Sequence, residues 1–209
     1  WHGWSSRSDA PLECERPRNE QLVLPDTHAP CDGDAFAATA HARRDVIYGE
    51  DVKSDVKVVD TGNRWIIARS VLIEAPAQVV FDVIADPRQH AAFDGSKTVE
   101  GVVDAPDRLA LGDQFRMKMR IKVPYKIGSK VMEFEEGQRI AWAHVGGHRW
   151  RYETRATSDQ QCEVTEIFDA SYARSAQALR LMNAYTNNTK AIERTLCRLK
   201  SYVEESAAG

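Results

Sequence analysis

Apolar and polar residues alternate almost without exception between Gln114 and Lys122. The apolar members are Phe115, Met117, Met119 and Ile121, and the basic members are Arg116, Lys118, Arg120 and Lys122. Because successive side chains of a strand point to opposite faces, this segment predicts a β-strand with one apolar and one basic face. The basic face continues at Lys126 and Lys130 and is typical of a solvated sheet surface. It lacks the interleaved aromatic residues of an RNA-binding sheet.

Further β-rich segments, separated by turn residues such as Gly112, Pro124 and Gly137, predict an antiparallel sheet. A first strand is expected over residues 65–74. The other predicted strands are 97–104, 113–123, 125–135, 139–145, 149–157 and 162–172.

Two short helices are predicted between the first and second strands. Pro76 suits the first turn of a helix, where a missing N–H costs nothing. The apolar face of this helix is expected to contain Val79, Val80, Val83 and Ile84. Asp86 precedes a proline and ends the helix, and a second short helix is expected over residues 87–92.

A long helix is predicted near the C-terminus, over residues 175–205. Its apolar stripe steps by three and four residues and is expected to form core. The stripe consists of Met182, Tyr185, Thr189, Ile192, Leu196, Leu199 and Val203.

Charge divides the chain of 209 residues into two regions. Residues 1–62 hold 7 Lys and Arg against 12 Asp and Glu, and the remainder holds 21 against 19. We expect residues 1–62 to be an acidic, largely irregular N-terminal extension with a short helix over 35–47, and residues 63–206 to form the folded domain. Because no Met precedes Met117, Trp1 is not expected to be the natural start.

The composition of the chain argues against several cellular locations and several kinds of ligand. Cysteines at positions 14, 31, 162 and 197 have no CxxC spacing, which favours a reduced, cytoplasmic protein. No apolar run approaches the roughly 20 residues of a membrane span, and the N-terminus lacks a secretory signal. A zinc site from His28, Cys31 and His41 is conceivable, but the ligand spacing is absent and we expect no metal. The net charge of −3 gives no reason to expect nucleic acid.

Four segments carry a resemblance to a known family. They are residues 73–87 (IEAPAQVVFDVIADP), 93–96 (FDGS), 134–142 (FEEGQRIAW) and 164–166 (VTE). Over residues 64–205 the chain resembles the START/Bet v 1-like (SRPBCC) superfamily, in particular its bacterial polyketide cyclase/dehydrase and lipid-transport type. The resemblance implies an α+β helix-grip fold, in which a seven-stranded antiparallel sheet wraps around a long C-terminal helix. An apolar cavity is then expected between sheet and helix.

The last predicted strand places a carboxyl group among apolar residues. Its candidate inward face is Cys162, Val164, Glu166 and Phe168. A desolvated Glu166 with a raised pKa could act as an acid or base, or bind a ligand hydroxyl. Alternatively, Glu166 pairs with a buried arginine or lies near the cavity mouth.

Two histidines flank Gly146 and Gly147, and two hairpin geometries are possible for this segment. A two-residue loop places His144 and His148 on opposite faces. A three-residue loop places both histidines on the side of Trp142, Trp150 and Tyr152. We favour this loop because it directs four charged residues of the second strand to the outward face. They are Arg149, Arg151, Glu153 and Arg155. A His pair with Glu166 could mimic a metal site, yet cross-strand histidines usually form a polar pocket rim.

The candidate site residues follow from these patterns. Glu166 and His148 are the candidate catalytic residues. The candidate ligand-binding residues are Phe93, Asp94, Phe115, Met117, Met119, Met132, Trp142, His144, Trp150, Tyr152, Phe168, Met182 and Tyr185. Asp94 and Ser96 are also ordinary turn formers. The methionines are equally typical of core filler.

Three functional hypotheses remain from the sequence. The first is a carrier of a small hydrophobic ligand, such as a lipid, a polyketide or an aromatic metabolite. The second is a polyketide cyclase/dehydratase that uses Glu166 or His148 as acid–base, and the third is a protein-interaction module with a collapsed cavity. No Walker loop, dinucleotide-binding glycine motif or nucleophile elbow is present, so no cofactor is expected. We expect no nucleic acid and no stable membrane insertion, and a homodimer is left open.

Overall fold

The computed structural model describes residues 55–207, which contain eight β-strands and four α-helices. The strands are β1 Lys57–Val59, β2 Ile66–Ile73, β3 Val99–Asp104, β4 Gln114–Arg120, β5 Pro124–Glu135, β6 Arg139–His144, β7 Arg149–Ser158 and β8 Gln161–Asp169. The helices are α1 Ala77–Ala85, α2 His90–Phe93, α3 Ala176–Leu181 and α4 Ala184–Ala207.

All eight strands form one antiparallel sheet in the order β1-β2-β8-β7-β6-β5-β4-β3. With the long C-terminal helix against one face, this is the predicted α+β helix-grip fold. The sheet has eight strands rather than seven because β1 pairs with β2, with Lys57 opposite Ser70. β1 lies inside the segment 1–62 that we predict as an extension. The predicted helix over 35–47 and the candidate zinc ligands lie outside the described residues.

Helix α4 covers only part of the sheet. It packs on β2 and β8. A helix is about 10 Å wide and neighbouring strands are about 4.8 Å apart, so one helix covers about two strands. The solid core therefore lies under the C-terminal half of α4, where Leu196, Leu199 and Val203 are buried against α1, β2 and β8.

The predicted C-terminal helix is interrupted. Asn183 has a positive φ of 56°, which ends α3 and begins α4, and its carbonyl accepts from the Asn187 N–H at 3.0 Å. Asparagine is among the few residues that adopt the left-handed region readily. Met182 is consequently 74% exposed and does not belong to the core stripe.

The first two helices also differ from prediction in detail. Pro76 precedes α1 as its N-cap instead of lying in its first turn. The buried face of α1 contains Phe81 and Ile84, whereas the predicted Val79 is 44% exposed. The second helix begins at His90, because the residues after Asp86 form turns instead.

Gly95 allows the loop after α2 to touch the backbone of α4. Its N–H donates to Thr195 Oγ1 at 2.9 Å, and its carbonyl accepts from Arg194 Nε at 3.0 Å. Arg198 donates to the neighbouring Asp94 carbonyl at 2.7 Å. A Cβ at position 95 would overlap the Thr195 backbone nitrogen and lie 2.5 Å from the Ala191 carbonyl oxygen. Only glycine fits here.

We therefore predict that Gly95→Ala lowers the free energy of unfolding by about 2 kcal/mol or more, since backbone atoms cannot move aside as a flexible side chain does. The control is Gly128→Ala on β5, where an added Cβ meets nothing within 4 Å. Urea denaturation of both variants measures the difference, and equal losses in the two would refute the close contact as a constraint.

Candidate functional site

A cavity of about 580 Å³ lies between the sheet and the N-terminal half of α4. This volume is within the roughly 300–1,000 Å³ typical of small-molecule sites. Residues from α2, the loop after it, the strands β3 to β8 and α4 line it. Two lining residues are largely exposed, Ile121 at 70% and Met182 at 74%, and they mark where the cavity meets solvent. The interior is therefore not collapsed.

Most of the predicted site residues share this cavity. The predicted residues that line it are Phe93, Asp94, Phe115, Met117, Met119, Trp142, His144, Trp150, Tyr152, Glu166 and Met182. Those that the structure places elsewhere are Met132, His148, Phe168 and Tyr185.

Met132 lies away from the cavity because it follows the inward-facing Val131 along β5. Its side chain is 40% exposed, whereas Val131 is buried. The pairing of β5 with β6 shifts register between Val131 and Glu133, so the alternation changes phase there and Phe134 again packs against the core. Such a bulge leaves no clear trace in the sequence, and alternation counted back from Phe134 places Met132 on the wrong face.

Three predicted residues lie behind the lining. Phe168 packs against Trp150 with ring centroids 5.1 Å apart and against Tyr185 at 5.8 Å. His148 packs against His144 at 5.3 Å and against Phe168 at 5.4 Å. These rings support Trp150 and His144, which do line the cavity.

The favoured hairpin between β6 and β7 is confirmed. Ala143 pairs with Arg149, so a three-residue loop separates His144 from His148 and both rings lie on one side. On the other side, Arg149 and Arg151 both donate to Glu133, at 2.7 and 2.9 Å. Glu133 was not anticipated as the partner that holds these two guanidinium groups.

His144 is an uncharged polar group in the wall. Its Nδ1 lies 2.9 Å from Ser129 Oγ, in a hydrogen bond whose donor depends on the tautomer. Burial, together with the neighbouring His148, lowers the pKa of His144 to about 4. At neutral pH the ring is a neutral hydrogen-bonding group.

His90 is a lining residue that the sequence did not reveal. Its ring is 7% exposed and stacks on Trp142, with centroids 5.2 Å apart and planes 21° apart. Its Nε2 lies 2.8 Å from the Ile84 carbonyl oxygen, which can only accept, so Nε2 carries the proton. Burial lowers the pKa of His90 and keeps it neutral. A lone histidine on a four-residue helix offers no periodic signal.

A polar stripe on α4 was also missed, although the sequence contains it. Ala184, Asn187, Asn188, Ala191 and Thr195 recur at spacings of three and four and line the cavity. They lie beside the apolar stripe that predicts the C-terminal helix. Small and polar side chains suit a part of the helix that faces a cavity rather than the sheet.

Asp94 closes the loop between α2 and β3. Its Oδ1 accepts from Ser96 N–H at 3.0 Å, and its Oδ2 accepts from Ser96 Oγ at 2.8 Å, Thr98 N–H at 2.8 Å and Val99 N–H at 2.9 Å. The turn-forming interpretation of Asp94 and Ser96 is therefore confirmed. The carboxylate also lines the cavity, where its charge faces Glu166 and Tyr152.

Glu166 holds a buried carboxyl group at the cavity wall. It is 3% exposed and lies opposite Tyr152 in the pairing of β7 with β8. No arginine pairs with it within residues 55–207, and its Oε2 has no hydrogen-bond partner there. The pKa of Glu166 is raised to about 8, mainly by burial and in part by the nearby Asp94 charge, while the hydrogen bond of the Tyr152 hydroxyl partly opposes the shift. Burial also raises the pKa of Tyr152 well above its usual value. The carboxyl is thus protonated at neutral pH.

Within residues 55–207, no cluster of three or more His, Cys, Asp or Glu side chains is arranged to hold a metal ion. None of the four helices is both long and apolar enough to cross a membrane.

Comparison with known sequences identifies two relatives. Uncharacterized protein Rv0088 of Mycobacterium tuberculosis is 38% identical over 149 residues, which is 69% of this chain and 66% of that protein. Uncharacterized protein MT0096, from another strain of that organism, is 37% identical over the same share of each chain. The chain thus spans slightly less than two thirds of the curated relatives it matches. No protein-family model matches it.

Solved structures share the architecture at low sequence identity. A protein from Arthrobacter aurescens has a TM-score of 0.59 at 12% identity, over 73% of this chain and 93% of that one. Protein NE0264 from Nitrosomonas europaea has a TM-score of 0.56 at 13% identity, over 72% of this chain and all of that one. This chain has the same fold. The likeness extends to the backbone and says nothing about a ligand.

The protonated state of Glu166 predicts a pH-dependent stability. The folded protein binds this proton with a pKa of about 8, against 4.5 as the ordinary value, so the stabilisation is full below pH 4.5 and is lost as the pH rises through 8. Relative to Glu166→Gln, the wild type should lose up to about 1.4 kcal/mol of unfolding free energy per pH unit in that window.

Urea denaturation of both proteins across the same pH range provides the measurement. The other titrating groups are common to the two proteins and cancel in the difference. A difference that stays constant with pH would show that Glu166 is ionised in the folded protein.

Proposed function

We propose that this protein binds a small hydrophobic molecule in the cavity between its sheet and α4, as a member of the START/Bet v 1-like (SRPBCC) superfamily. The family resemblance of the segments around residues 73–87 and 134–142 supports the membership, as does the helix-grip fold. In the family, the same fold serves carriers and enzymes, so the proposal rests on the site.

The observation that carries the proposal is the composition of the cavity wall. Its aromatic and methionine side chains supply apolar area, including Phe115, Met117 and Trp142. A few buried polar groups converge on the same space, among them Glu166 and the Ser129–His144 pair. Small-molecule sites combine an apolar wall for affinity with a few polar groups for orientation.

The outer surface supports a small molecule rather than nucleic acid as the partner. Arg116 of β4 pairs with Asp104 at 3.1 Å, and both Lys118 and Arg120 pair with Glu100. Three of the six residues of the predicted basic face thus pair with the neighbouring strand, whose two carboxylates offset two of the six positive charges. We also propose a cytoplasmic, reducing location, for which the sparse cysteines are the support.

A matched pair of substitutions tests ligand binding. Met117 is 4% exposed and lines the cavity, whereas Met132 on the same sheet is 40% exposed and does not. Met117→Trp should fill the cavity and reduce the amount of retained ligand at least about tenfold, and Met132→Trp should leave it unchanged. Native mass spectrometry of the full chain purified from cells measures the retained hydrophobic ligand.

Two results would contradict the proposal. One is a wild-type protein that retains no hydrophobic molecule and binds none added to it. The other is equal retention by the two tryptophan variants, because the ligand would then lie outside this cavity.

Acid–base catalysis is a second candidate, and the raised pKa of Glu166 favours it. A buried acid with a pKa of about 8 can exchange a proton near neutral pH, as a group acting on a carbon next to a carbonyl must. His148, the other candidate base, lies behind His144 rather than in the cavity wall.

For a cyclase, Glu166→Gln should abolish turnover of a cyclisable polyketide substrate while its affinity changes little. Single-turnover kinetics with parallel binding measurements separates the two effects. Undiminished turnover in this variant would exclude Glu166 as the acid–base group.

A further inference from the structure

The unpartnered oxygen of Glu166 is the least satisfied polar group in the cavity wall. Buried side-chain atoms without a hydrogen-bond partner occur at three places in the described chain: His148 Nδ1, Glu166 Oε2 and Tyr185 Oη. Of these three residues, only Glu166 lines the cavity. A buried polar group left unpaired destabilises the fold, and a ligand that pairs with it recovers that energy.

The neighbours of Glu166 determine what kind of group can pair with it. The Tyr152 hydroxyl interacts with the carboxyl from β7. The Asp94 carboxylate faces it from the loop after α2, and its oxygens are occupied by backbone and Ser96 donors. The basic lining residues, Lys190 and Arg194, are exposed on α4, and Arg194 already binds the Gly95 carbonyl.

The proton on Glu166 makes it a hydrogen-bond donor, because burial and the Asp94 charge both disfavour its ionised form. The terminal torsion of a glutamate side chain is broad, so the carboxyl can turn Oε2 toward the cavity. An anionic ligand group would instead meet the Asp94 charge and a low-dielectric wall.

The adjacent wall is a stack of aromatic rings. The rings of His90 and Tyr152 both stack on Trp142, with centroid distances of 5.2 and 5.6 Å and interplanar angles of 21° and 28°. Phe115 meets Trp142 edge-on at 5.9 Å. Edge-to-face contacts of such a stack suit the face of a planar aromatic molecule.

We propose that the ligand of this cavity is a planar aromatic compound with an uncharged carbonyl oxygen, which accepts a hydrogen bond from the Glu166 carboxyl. This inference rests on the proposed binding function and names the chemical class of the ligand. It places the ring system against Trp142 and the carbonyl next to Glu166 and Tyr152.

Three probes with one ring framework test the inference: 9-fluorenone, fluorene and fluorene-9-carboxylate. The ketone and the hydrocarbon differ at a single position, so the ratio of their dissociation constants isolates the hydrogen bond. Titrations followed by tryptophan fluorescence or calorimetry use the full-length wild type, Glu166→Gln and Glu166→Leu.

We expect the wild type to bind fluorenone about tenfold more tightly than fluorene, and the carboxylate more weakly than either. Glu166→Gln keeps an N–H donor and should keep the preference for the ketone. Glu166→Leu removes the donor, so it should bind both neutral probes with equal affinity. A lowered carbonyl stretching frequency of bound fluorenone would report the hydrogen bond directly.

A pH series repeats the test without a core substitution. Raising the pH from about 7 to about 9 ionises Glu166 and should remove the ketone preference of the wild type, while Glu166→Gln stays constant. Among the other groups around the carboxyl, His90 and His144 have lowered pKa values and Tyr152 has a raised one, so these three stay uncharged in this range. The charged side chains that line the same cavity are Asp94, Lys190 and Arg194, and all three are common to the wild type and Glu166→Gln.

The outcomes separate the two proposals. If none of the three probes binds the folded wild type although native mass spectrometry shows a retained hydrophobic molecule, binding stands and the inferred ligand class is overturned. If no probe binds and no hydrophobic molecule is retained, the binding function fails. If fluorene binds but the ketone has no advantage, if the advantage survives in Glu166→Leu, or if the carboxylate binds most tightly, binding stands and the inferred ligand class is overturned.

Discussion

One helix must cover one face of an eight-stranded sheet that is much wider than the helix. The rest of the structure depends on this difference in width. Helix α4 is wide enough for about two strands, and it packs on β2 and β8. The remaining strands have no helix of comparable length against them. Their inward side chains, together with the N-terminal half of α4, enclose a cavity of about 580 Å³ instead of packing into each other.

The loop after α2, which closes one end of the cavity, is bonded through its backbone groups to side chains of α4. Gly95 brings the loop after α2 into direct contact with the helix, and Arg194 and Arg198 bind carbonyl oxygens of the same loop. This anchoring also positions the Asp94 charge over the inner wall. The close contact at Gly95 thus sets both the packing of the loop on α4 and the position of the Asp94 charge.

Burial makes the interior electrically neutral apart from Asp94. His90 and His144 have lowered pKa values, and Glu166 and Tyr152 have raised ones, so each shift favours the uncharged form. The common cause is the cost of placing charge in an apolar environment. A neutral interior with hydrogen-bonding capacity suits a hydrophobic guest that carries one polar function.

Local periodicity was sufficient for much of the site. The alternation around Met117 and Glu166 predicted which side chains face inward, since a strand directs every second residue to the same side. The hairpin of His144 and His148 followed from the requirement that neighbouring arginines face outward together. By contrast, the bulge at Met132, the left-handed Asn183 and the exposed Val79 each depend on how elements meet in three dimensions.

The sequence by itself determined the order of strands and helices and the inward placement of Glu166, because these depend on near neighbours in the chain. Only the tertiary structure decided that β1 adds an eighth strand, that His90 joins the cavity wall and that Glu166 keeps its proton. Those features depend on contacts between distant segments and on the dielectric that the surrounding atoms create, and neither is encoded in local pattern.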